Sequence, residues 1–236
     1  FIINATMKFA ILAAGEGSRL AQEGIELPKP LVKINGEAMI DRLIRIFNEC
    51  KAEEIYIITN NLTPLTQNHL RLLQEANPKI HLIVKTTPSS MHSFYELSKI
   101  MGSGKFCLTT VDTIFREDEF KQYITAWDQA ELDGIMAVTD FIDDEKPLYI
   151  STDQELAITG FHDDLPQTYI SGGIYCLNEQ SFPVLNKCIE EGLSRMRNFQ
   201  RQLVKEGLRL QAYPFSKILD VDHASDIEKA EKFLSS

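Results

Sequence analysis

Residues 8–30 read KFAILAAGEGSRLAQEGIELPKP and join a short apolar run to a glycine-containing loop. The run at residues 9–13 is apolar and is soon followed by glycine, which is the pattern of a short buried strand. Gly15 and Gly17 let the backbone turn tightly and bring its N–H groups close to an anion. The stretch therefore predicts a strand that ends in an anion-binding loop.

Two cationic residues belong to the same stretch. Arg19 can bind phosphate oxygens through its planar guanidinium, and Lys29, in a surface-facing Pro-Lys-Pro loop, adds a point charge. The alternative is a plain strand-to-helix turn. Two nucleotide motifs are excluded, because the dinucleotide fingerprint needs a third glycine where this chain has Leu20, and the P-loop pattern GxxxxGK[ST] does not occur.

The order of these residues resembles a family signature. Leu12-Ala13-Ala14-Gly15-x-Gly17-x-Arg19-Leu20 is followed by Pro28-Lys29-Pro30-Leu31 and Asn35-Gly36. This pattern resembles that of the sugar-phosphate nucleotidyltransferases (NDP-sugar pyrophosphorylases), within the MobA-like NTP transferases. The resemblance implies catalytic roles for Arg19 and Lys29. It also implies that a nucleoside triphosphate is bound by Ala14, Gly15, Gly17 and Ser18.

Strand and helix patterns alternate after the loop. Helices are predicted at 38–50, 63–76, 90–101 and 117–129, and strands at 54–59, 80–84 and 106–111. Such alternation implies parallel strands with helical crossovers. Strands at 135–138, 148–151, 156–161 and 169–177 come with few helices between them, so we expect an antiparallel addition. The chain closes with helices at 179–190, 195–206 and 225–234, strands at 208–213 and 217–221, and Ser225 as the cap of the last helix.

The pattern thus predicts an α/β chain, and the resemblance implies a three-layer Rossmann-like nucleotidyltransferase fold. Its sheet would be mixed and mostly parallel, with a small antiparallel addition. Because the sequence contains no linker, repeat or low-complexity segment, we expect one domain over residues 1–236. Residues from about 7 to 130 would form an NTP-binding half, and residues from about 131 to 236 an acceptor-binding half.

Two acidic positions are candidates for a metal site. Asp112 follows the strand predicted at 106–111, and open α/β sheets bind ligands at the carboxyl ends of their strands. Further on, strand alternation places Asp220 and Asp222 on one face, so the residues alone leave open which of them binds a metal. The resemblance implies Asp112 and Asp222 as ligands of Mg²⁺, a cation that uses one or two carboxylates plus phosphate oxygens. The alternatives are a turn cap at Asp112 and a chance acidic strand end.

The remaining site residues follow from the resemblance and have structural alternatives. Ser89 and Ser90 match a loop that reads the nucleotide base, although either could simply cap the next helix. Ser171 and Gly172 lie in a stretch similar to the sugar-binding strand, and Gly160 is a further acceptor-binding candidate or a turn glycine.

Two residues near the C-terminus are predicted to be structural. Asp226 is expected at a helix N-terminus, and His223 is expected to be a packing residue rather than a metal ligand.

Composition limits the partners. The 236-residue chain has a net charge of −10, which argues against nucleic-acid binding. No apolar run is long enough to span a membrane, and the N-terminal stretch lacks the basic segment of a signal peptide. The four cysteines are widely spaced, and Cys107 and Cys176 lie in apolar runs typical of a reduced core. We therefore expect a cytoplasmic protein. Residues 1–6 are set aside because they precede Met7.

Together these features predict a Mg²⁺-dependent nucleotidyltransferase that joins an NTP to a sugar 1-phosphate and releases pyrophosphate. A cytidylyltransferase acting on phosphocholine or another alcohol phosphate is the nearest alternative. A non-catalytic nucleotide-binding protein is the alternative of a different class. The base, the acceptor and the oligomeric state are left open.

Overall fold

The structure is a computed structural model that describes residues 7–236, so the interpretation of residues 1–6 lies outside it. The strands are β1 Met7–Ala13, β2 Lys33–Ile34, β3 Glu37–Ala38, β4 Ala52–Thr59, β5 Ile80–Val84, β6 Phe106–Thr110, β7 Thr113–Ile114, β8 Gly134–Thr139, β9 Tyr149–Thr152, β10 Ile158–His162, β11 Tyr169–Leu177, β12 Leu210–Phe215 and β13 Leu219–Asp220. The helices are α1 Ser18–Gln22, α2 Met39–Glu49, α3 Pro64–Ala76, α4 Ser90–Met101, α5 Glu117–Gln129, α6 Ser181–Glu190, α7 Met196–Lys205 and α8 Ala224–Leu234.

The first half of the chain forms parallel strands. β1 pairs in parallel with β4 on one side and with β6 on the other, and β5 pairs in parallel with β4. All of β1 except Lys8 is buried, as the continuous apolar run predicts for a strand covered on both faces. Because these strands run the same way, their carboxyl ends lie at one edge of the sheet, where the glycine loop begins.

The second half continues the same nine-stranded sheet, whose main order is β10-β9-β11-β6-β1-β4-β5. β11 runs antiparallel to β6, β8 and β9, in agreement with the expected antiparallel addition. β12 instead pairs in parallel with β8. The helices α6 and α7 lie between β11 and β12 and return the chain to the end of the sheet at which β8 begins. The sheet is therefore mixed, as predicted, with its parallel part centred on β1.

Helices cover both faces of the sheet and enclose two apolar cores. One core packs α2 and α5 against the sheet and includes Phe9, Phe47 and Trp127. The other packs α4, α6 and α7 on the opposite face and includes Phe94, Leu185 and Phe199. All four cysteines are buried and unbridged. None of the helices in residues 7–236 is long and apolar enough to cross a membrane.

The last helix begins differently from the prediction. Ser225 was expected to cap α8, but the cap residue is His223, whose carbonyl oxygen accepts from the N–H of Asp226 at 3.0 Å while the Asp226 carboxylate accepts from the N–H of His223 at 2.8 Å. The ring of His223 also contacts a Glu23 carboxylate oxygen at 2.6 Å. His223 therefore caps the helix and pairs with Glu23, and it is not the packing residue that was expected. Asp226 lies at the helix N-terminus, as expected.

Two short strand pairs were not predicted. Residues Asn35 and Gly36, both with positive φ, form the turn of a hairpin that joins β2 to β3. The second pair joins β7, which directly follows Asp112, to β13, which directly precedes the segment of Asp222. The β7–β13 pair matters most for the site, because it brings the end of the chain to the edge where β6 terminates.

Candidate active site

Lys29 lies between two carboxylates at the carboxyl edge of the sheet. Its Nζ donates to Oδ2 of Asp112 at 3.0 Å and to Oδ1 of Asp222 at 2.9 Å. The side chains of Lys29 and Asp112 are each 16% exposed, and that of Asp222 is 42% exposed. The two contacts place these carboxylate oxygens less than about 6 Å apart, and the Lys29 ammonium touches both. The surface-facing position expected for Lys29 is therefore wrong.

The backbone explains how residues so distant in sequence meet. Asp112 follows β6 and precedes β7, and Asp220 of β13 is the partner of Thr113 of β7. The N–H of Val221 donates to the carbonyl oxygen of Asp112 at 3.1 Å. This bond continues the β7–β13 ladder by one residue and places Asp222 beside Asp112.

The opposed charges shift the pKa values of this group. Burial alone would lower the pKa of Lys29, but Asp112 and Asp222 outweigh burial and raise it above its usual range. Burial acts on Asp222 in the opposite direction, and the Lys29 ammonium outweighs it, so the pKa of Asp222 is lowered. Lys29 is therefore charged and Asp222 ionised at neutral pH, and the group is an ion pair with a second carboxylate.

Asp220 lies on the same cleft as Asp222. Desolvation, together with repulsion from Asp112 and Asp222, raises the pKa of Asp220 well above its usual range. Because the residue is exposed to solvent, we attribute the rise chiefly to the two carboxylates. Within residues 7–236, no group of three or more His, Cys, Asp or Glu side chains is arranged to hold a metal ion. A cation here would therefore use two carboxylates and take its other ligands from a bound phosphate, the usual arrangement for Mg²⁺.

The glycine loop packs directly against Lys29. Gly17 has φ near 64°, and a Cβ at this position would come within 3.1 Å of the Lys29 Cβ. A side chain there would be strained and would push Lys29 away from its carboxylates. A Cβ on Gly15, in contrast, would meet no heavy atom within 4 Å, so this part of the loop faces open space. The two glycines therefore have different roles, close packing at Gly17 and access at Gly15.

Asn60 binds the backbone of the glycine loop, and the sequence analysis did not identify it as a site residue. It is 2% exposed, and its Nδ2 donates to the carbonyl oxygens of Ala14 at 3.2 Å and Gly15 at 3.1 Å. Asn60 follows β4 directly, so the rule that singled out Asp112, a polar residue at the carboxyl end of a strand, applies equally to Asn60. By binding these two carbonyl oxygens, Asn60 fixes the backbone of the loop at Ala14 and Gly15.

A cavity of about 360 Å³ opens beside the loop and is lined by Ala14, Gly15, Lys29, Asp112, Ser89 and Ser90, among others. Ser89 caps α4, because its Oγ accepts from the N–H of His92 at 3.4 Å. It also accepts from the N–H of Arg195 at 3.3 Å. The capping alternative thus holds for Ser89, which is partly buried, whereas Ser90 is exposed at the cavity wall.

A second cavity of about 300 Å³ lies on the other side of the ion pair. Its lining includes Ser171, Gly172, Asp220 and Asp222, and also Arg19, which faces this cavity rather than the one beside the loop. The lining contains the cations Arg19 and Lys229 and the carboxylates of Asp143, Asp144, Glu145, Asp220, Asp222 and Asp226. This excess of negative charge means that a phosphate could enter only with added positive charge.

The structure does not bring Gly160 to either cavity. Gly160 lies on β10 opposite Ser151, and a Cβ on it would contact the ring of His162 at 2.9 Å. Its predicted role in acceptor binding stays untested, and its position gives the residue a packing role. The other predicted residues line one cavity or the other, except Gly17 and Ser18, which lie in the loop and at the start of α1.

Comparison with known proteins gives a family and a fold. A family model described as Nucleotidyl transferase matches residues 8–236. The bifunctional protein GlmU of Methanococcus aeolicus is 24% identical over 216 residues, which are 88% of this chain and 50% of that protein. The chain spans about half the length of the first curated relatives that it matches.

Solved structures agree with the fold predicted from the sequence. An inositol-1-phosphate CTP transferase from T. maritima has a TM-score of 0.80 at 18% identity, over 98% of this chain and 96% of that one. A UDP-glucose pyrophosphorylase complexed with UDP-glucose has a TM-score of 0.78 at 18% identity, over 98% and 99%. The Rossmann-like nucleotidyltransferase fold is thereby confirmed. Because the family match extends over nearly the whole chain, the protein belongs to the Nucleotidyl transferase family of enzymes.

Proposed function

We propose that this chain transfers a nucleoside monophosphate from an NTP to a sugar 1-phosphate and releases pyrophosphate. The observation that carries the proposal is the position of Lys29 between Asp112 and Asp222. Lys29 and Asp112 line the cavity beside the glycine loop, and Asp222 lines the cavity of Ser171. A lysine and two carboxylates that could hold a cation, at the junction of two ligand-sized cavities, suit a reaction in which two anionic substrates must meet.

The chemistry requires no nucleophile from the protein. An oxygen of the acceptor phosphate attacks the α-phosphorus, the new P–O bond forms, and the bond to the β-phosphate oxygen breaks as pyrophosphate leaves. The N–H groups around Gly15 would bind the triphosphate, and Lys29 would neutralise charge at the α-phosphate. Arg19 is exposed at the start of α1 and faces the cavity of Ser171, so its side chain would have to turn toward the glycine loop to bind the leaving pyrophosphate. The protein thus acts by placing charge and holding the reactants in line.

Asp112 and Asp222 fit a divalent cation. Both offer hard oxygen donors, and the Lys29 ammonium now occupies the position between them. Binding of a divalent cation by the two carboxylates would release Lys29 to interact with the α-phosphate. When bound, Mg²⁺ would supply positive charge to the phosphate oxygens. That charge suits the acidic lining of the cavity, which by itself repels a phosphorylated acceptor. Ser90 and the loop around Ser89 line the cavity beside the glycine loop and would contact the base of the nucleotide.

An alcohol phosphate is the second candidate acceptor, favoured by the likeness to the inositol-1-phosphate CTP transferase. A non-catalytic nucleotide-binding role is the weaker alternative, since a binding protein has no need for a lysine held between two carboxylates. Pyrophosphate release separates the three proposals. The two enzymatic proposals differ in the acceptor on which the release depends, and a binding protein releases none.

The test is a substrate panel. The protein with Mg²⁺ would be incubated with ATP, CTP, GTP, UTP or dTTP and with glucose, mannose or N-acetylglucosamine 1-phosphate, inositol 1-phosphate or phosphocholine. We expect pyrophosphate release and a matching NDP-sugar by mass spectrometry, both lost in EDTA. Faster turnover of inositol 1-phosphate or phosphocholine would select the second candidate. No acceptor-dependent release with any pair would contradict the enzymatic proposal.

Replacing Asn60 with alanine is expected to weaken NTP binding. The change removes two hydrogen bonds to loop carbonyls, each with a net contribution of about 0.5–1.5 kcal/mol. We expect the KM for the NTP to rise about tenfold while the KM for the acceptor stays nearly constant. Asn61→Ala is the matched control, because Asn61 is exposed and contacts Thr86 instead of the loop. An unchanged KM for the NTP in Asn60→Ala would show that the loop does not depend on this support.

A further inference from the structure

The cavity of about 300 Å³ that Ser171 lines is here called the acceptor cavity. One buried side chain that was not predicted to belong to the site, Gln200, contacts Ser171 beneath this cavity. Gln200 of α7 is 1% exposed, and its Nε2 donates to the Oγ of Ser171 at 3.2 Å. Ser171 lies on β11 and lines the acceptor cavity beside Gly172. Gln200 itself does not line that cavity. It can therefore affect an acceptor only through Ser171.

The direction of this hydrogen bond fixes what Ser171 can offer a ligand. A serine hydroxyl has one donor and two acceptor sites. Because the Gln200 amide is the donor, the Ser171 oxygen is the acceptor, and its own proton stays available for another partner. The backbone of Ser171 is held as well, since its N–H donates to the carbonyl oxygen of Leu148 at 2.9 Å. These two bonds fix the position of the hydroxyl, whose proton can go to a ligand oxygen in the cavity or to the neighbouring Tyr175 side chain.

Gln200 is itself held by a rigid segment. It is one of the buried residues of α7, between Phe199 and Leu203, which belong to the apolar core on that face of the sheet. The half-buried neighbours Arg197 and Arg201 both pair with Asp163 at 2.7 and 2.6 Å, which fixes α7 to the segment after β10. A polar side chain in such a core is costly unless it is hydrogen-bonded. The hydrogen bond to Ser171 offsets the cost of burying the Gln200 amide and connects Gln200 to the site.

We propose that Gln200 is a positioning residue for the acceptor, which orients Ser171 so that its hydroxyl donates to an oxygen of the acceptor. This inference rests on the proposed function, because it concerns the acceptor of that reaction. Gln200 lies on α7 and lines neither cavity. It would thus set the affinity for the acceptor without touching either substrate.

The test compares Gln200→Met, which keeps the length and apolar stem of the side chain but cannot donate, with Ser171→Ala and the double variant. The probe is whichever acceptor of the substrate panel the unmodified protein turns over fastest. Loss of one neutral hydrogen bond should raise the KM for that acceptor about five- to tenfold in each single variant. The KM for the NTP should stay within about twofold, and the double variant should match Ser171→Ala, because residues that act as a unit are non-additive.

Gln202→Met is the control on the same helix, since Gln202 bonds to Glu206 near the surface and not to Ser171. An unchanged acceptor KM in Gln200→Met, or equal shifts in both KM values with a fall in Tm, would overturn the positioning role while leaving the proposed function intact. A further loss in the double variant beyond Ser171→Ala would overturn it too. If the unmodified protein turns over no acceptor, the proposed function fails and this inference fails with it.

Discussion

Asp112→Asn and Asp222→Asn are each expected to abolish turnover while leaving the fold intact. Each substitution removes one of the two negative charges that flank Lys29 at 3.0 and 2.9 Å and that fit a divalent cation. An asparagine keeps the size of the side chain but offers a cation only a neutral oxygen. We expect kcat to fall at least about 10³-fold in each single variant, and the double variant to lose little more, since the two carboxylates act as a unit.

The measurement is pyrophosphate release together with circular dichroism and Tm for all three variants. Asp164→Asn is the matched control, because Asp164 is exposed on the segment after β10 and lines neither cavity. Turnover close to that of the unmodified protein in either single variant would remove that carboxylate from the mechanism. A double variant much worse than both singles would show that the two carboxylates act independently.

Lys29→Ala is expected to lower kcat/KM about 10²–10³-fold, the usual cost of losing one preorganised charge contact to a transition state. The structure adds an effect on stability. Because Lys29 is only 16% exposed, its removal leaves Asp112 and Asp222 facing each other without a counter-ion. Breaking a fully buried pair costs about 3–5 kcal/mol, and we expect roughly 1–3 kcal/mol here because Asp222 is partly exposed.

Kinetics and thermal unfolding test both effects. For a chain of this size, the expected loss of stability lowers Tm by roughly 2–10 °C. Lys33→Ala serves as control, since Lys33 is an exposed lysine on β2 that lines neither cavity. An unchanged kcat/KM would exclude Lys29 from charge neutralisation. An unchanged Tm with lost activity would mean that its ion pairs contribute little to the fold.

The features that were predicted best from the sequence are those that depend on residues close together in the chain. The parallel strands β1, β4, β5 and β6 follow from apolar runs and helical spacing, each of which is recognised within a window of about 11–18 residues. Asp112 was found by the same local logic, as a polar residue after a strand. The parallel pairing of β12 with β8 was not predictable in this way, because it depends on where α6 and α7 return the chain.

What the sequence could not predict depends on contacts between distant residues. The burial of Lys29 requires both Asp112 and Asp222, which come together only through the β7–β13 pair. The cap of α8 is His223 rather than Ser225 because Asp226 completes a reciprocal pair of hydrogen bonds with it. No local sequence pattern predicts that Gln200 is buried, since a glutamine in an amphipathic helix is usually a surface residue.

The β7–β13 pair also bears on how the protein acquires its activity. Lys29 and Asp222 are 193 residues apart in the chain, and the pair that holds them together joins a segment near residue 113 to one near residue 219. Closing so long a loop costs only slightly more entropy than closing a shorter one, but it requires the segment that contains Asp222 to have been synthesised. A nascent chain that has folded β1, β4 and β6 and formed its glycine loop still lacks one carboxylate of the ion pair. The ion pair is therefore completed only when β13 docks onto β7.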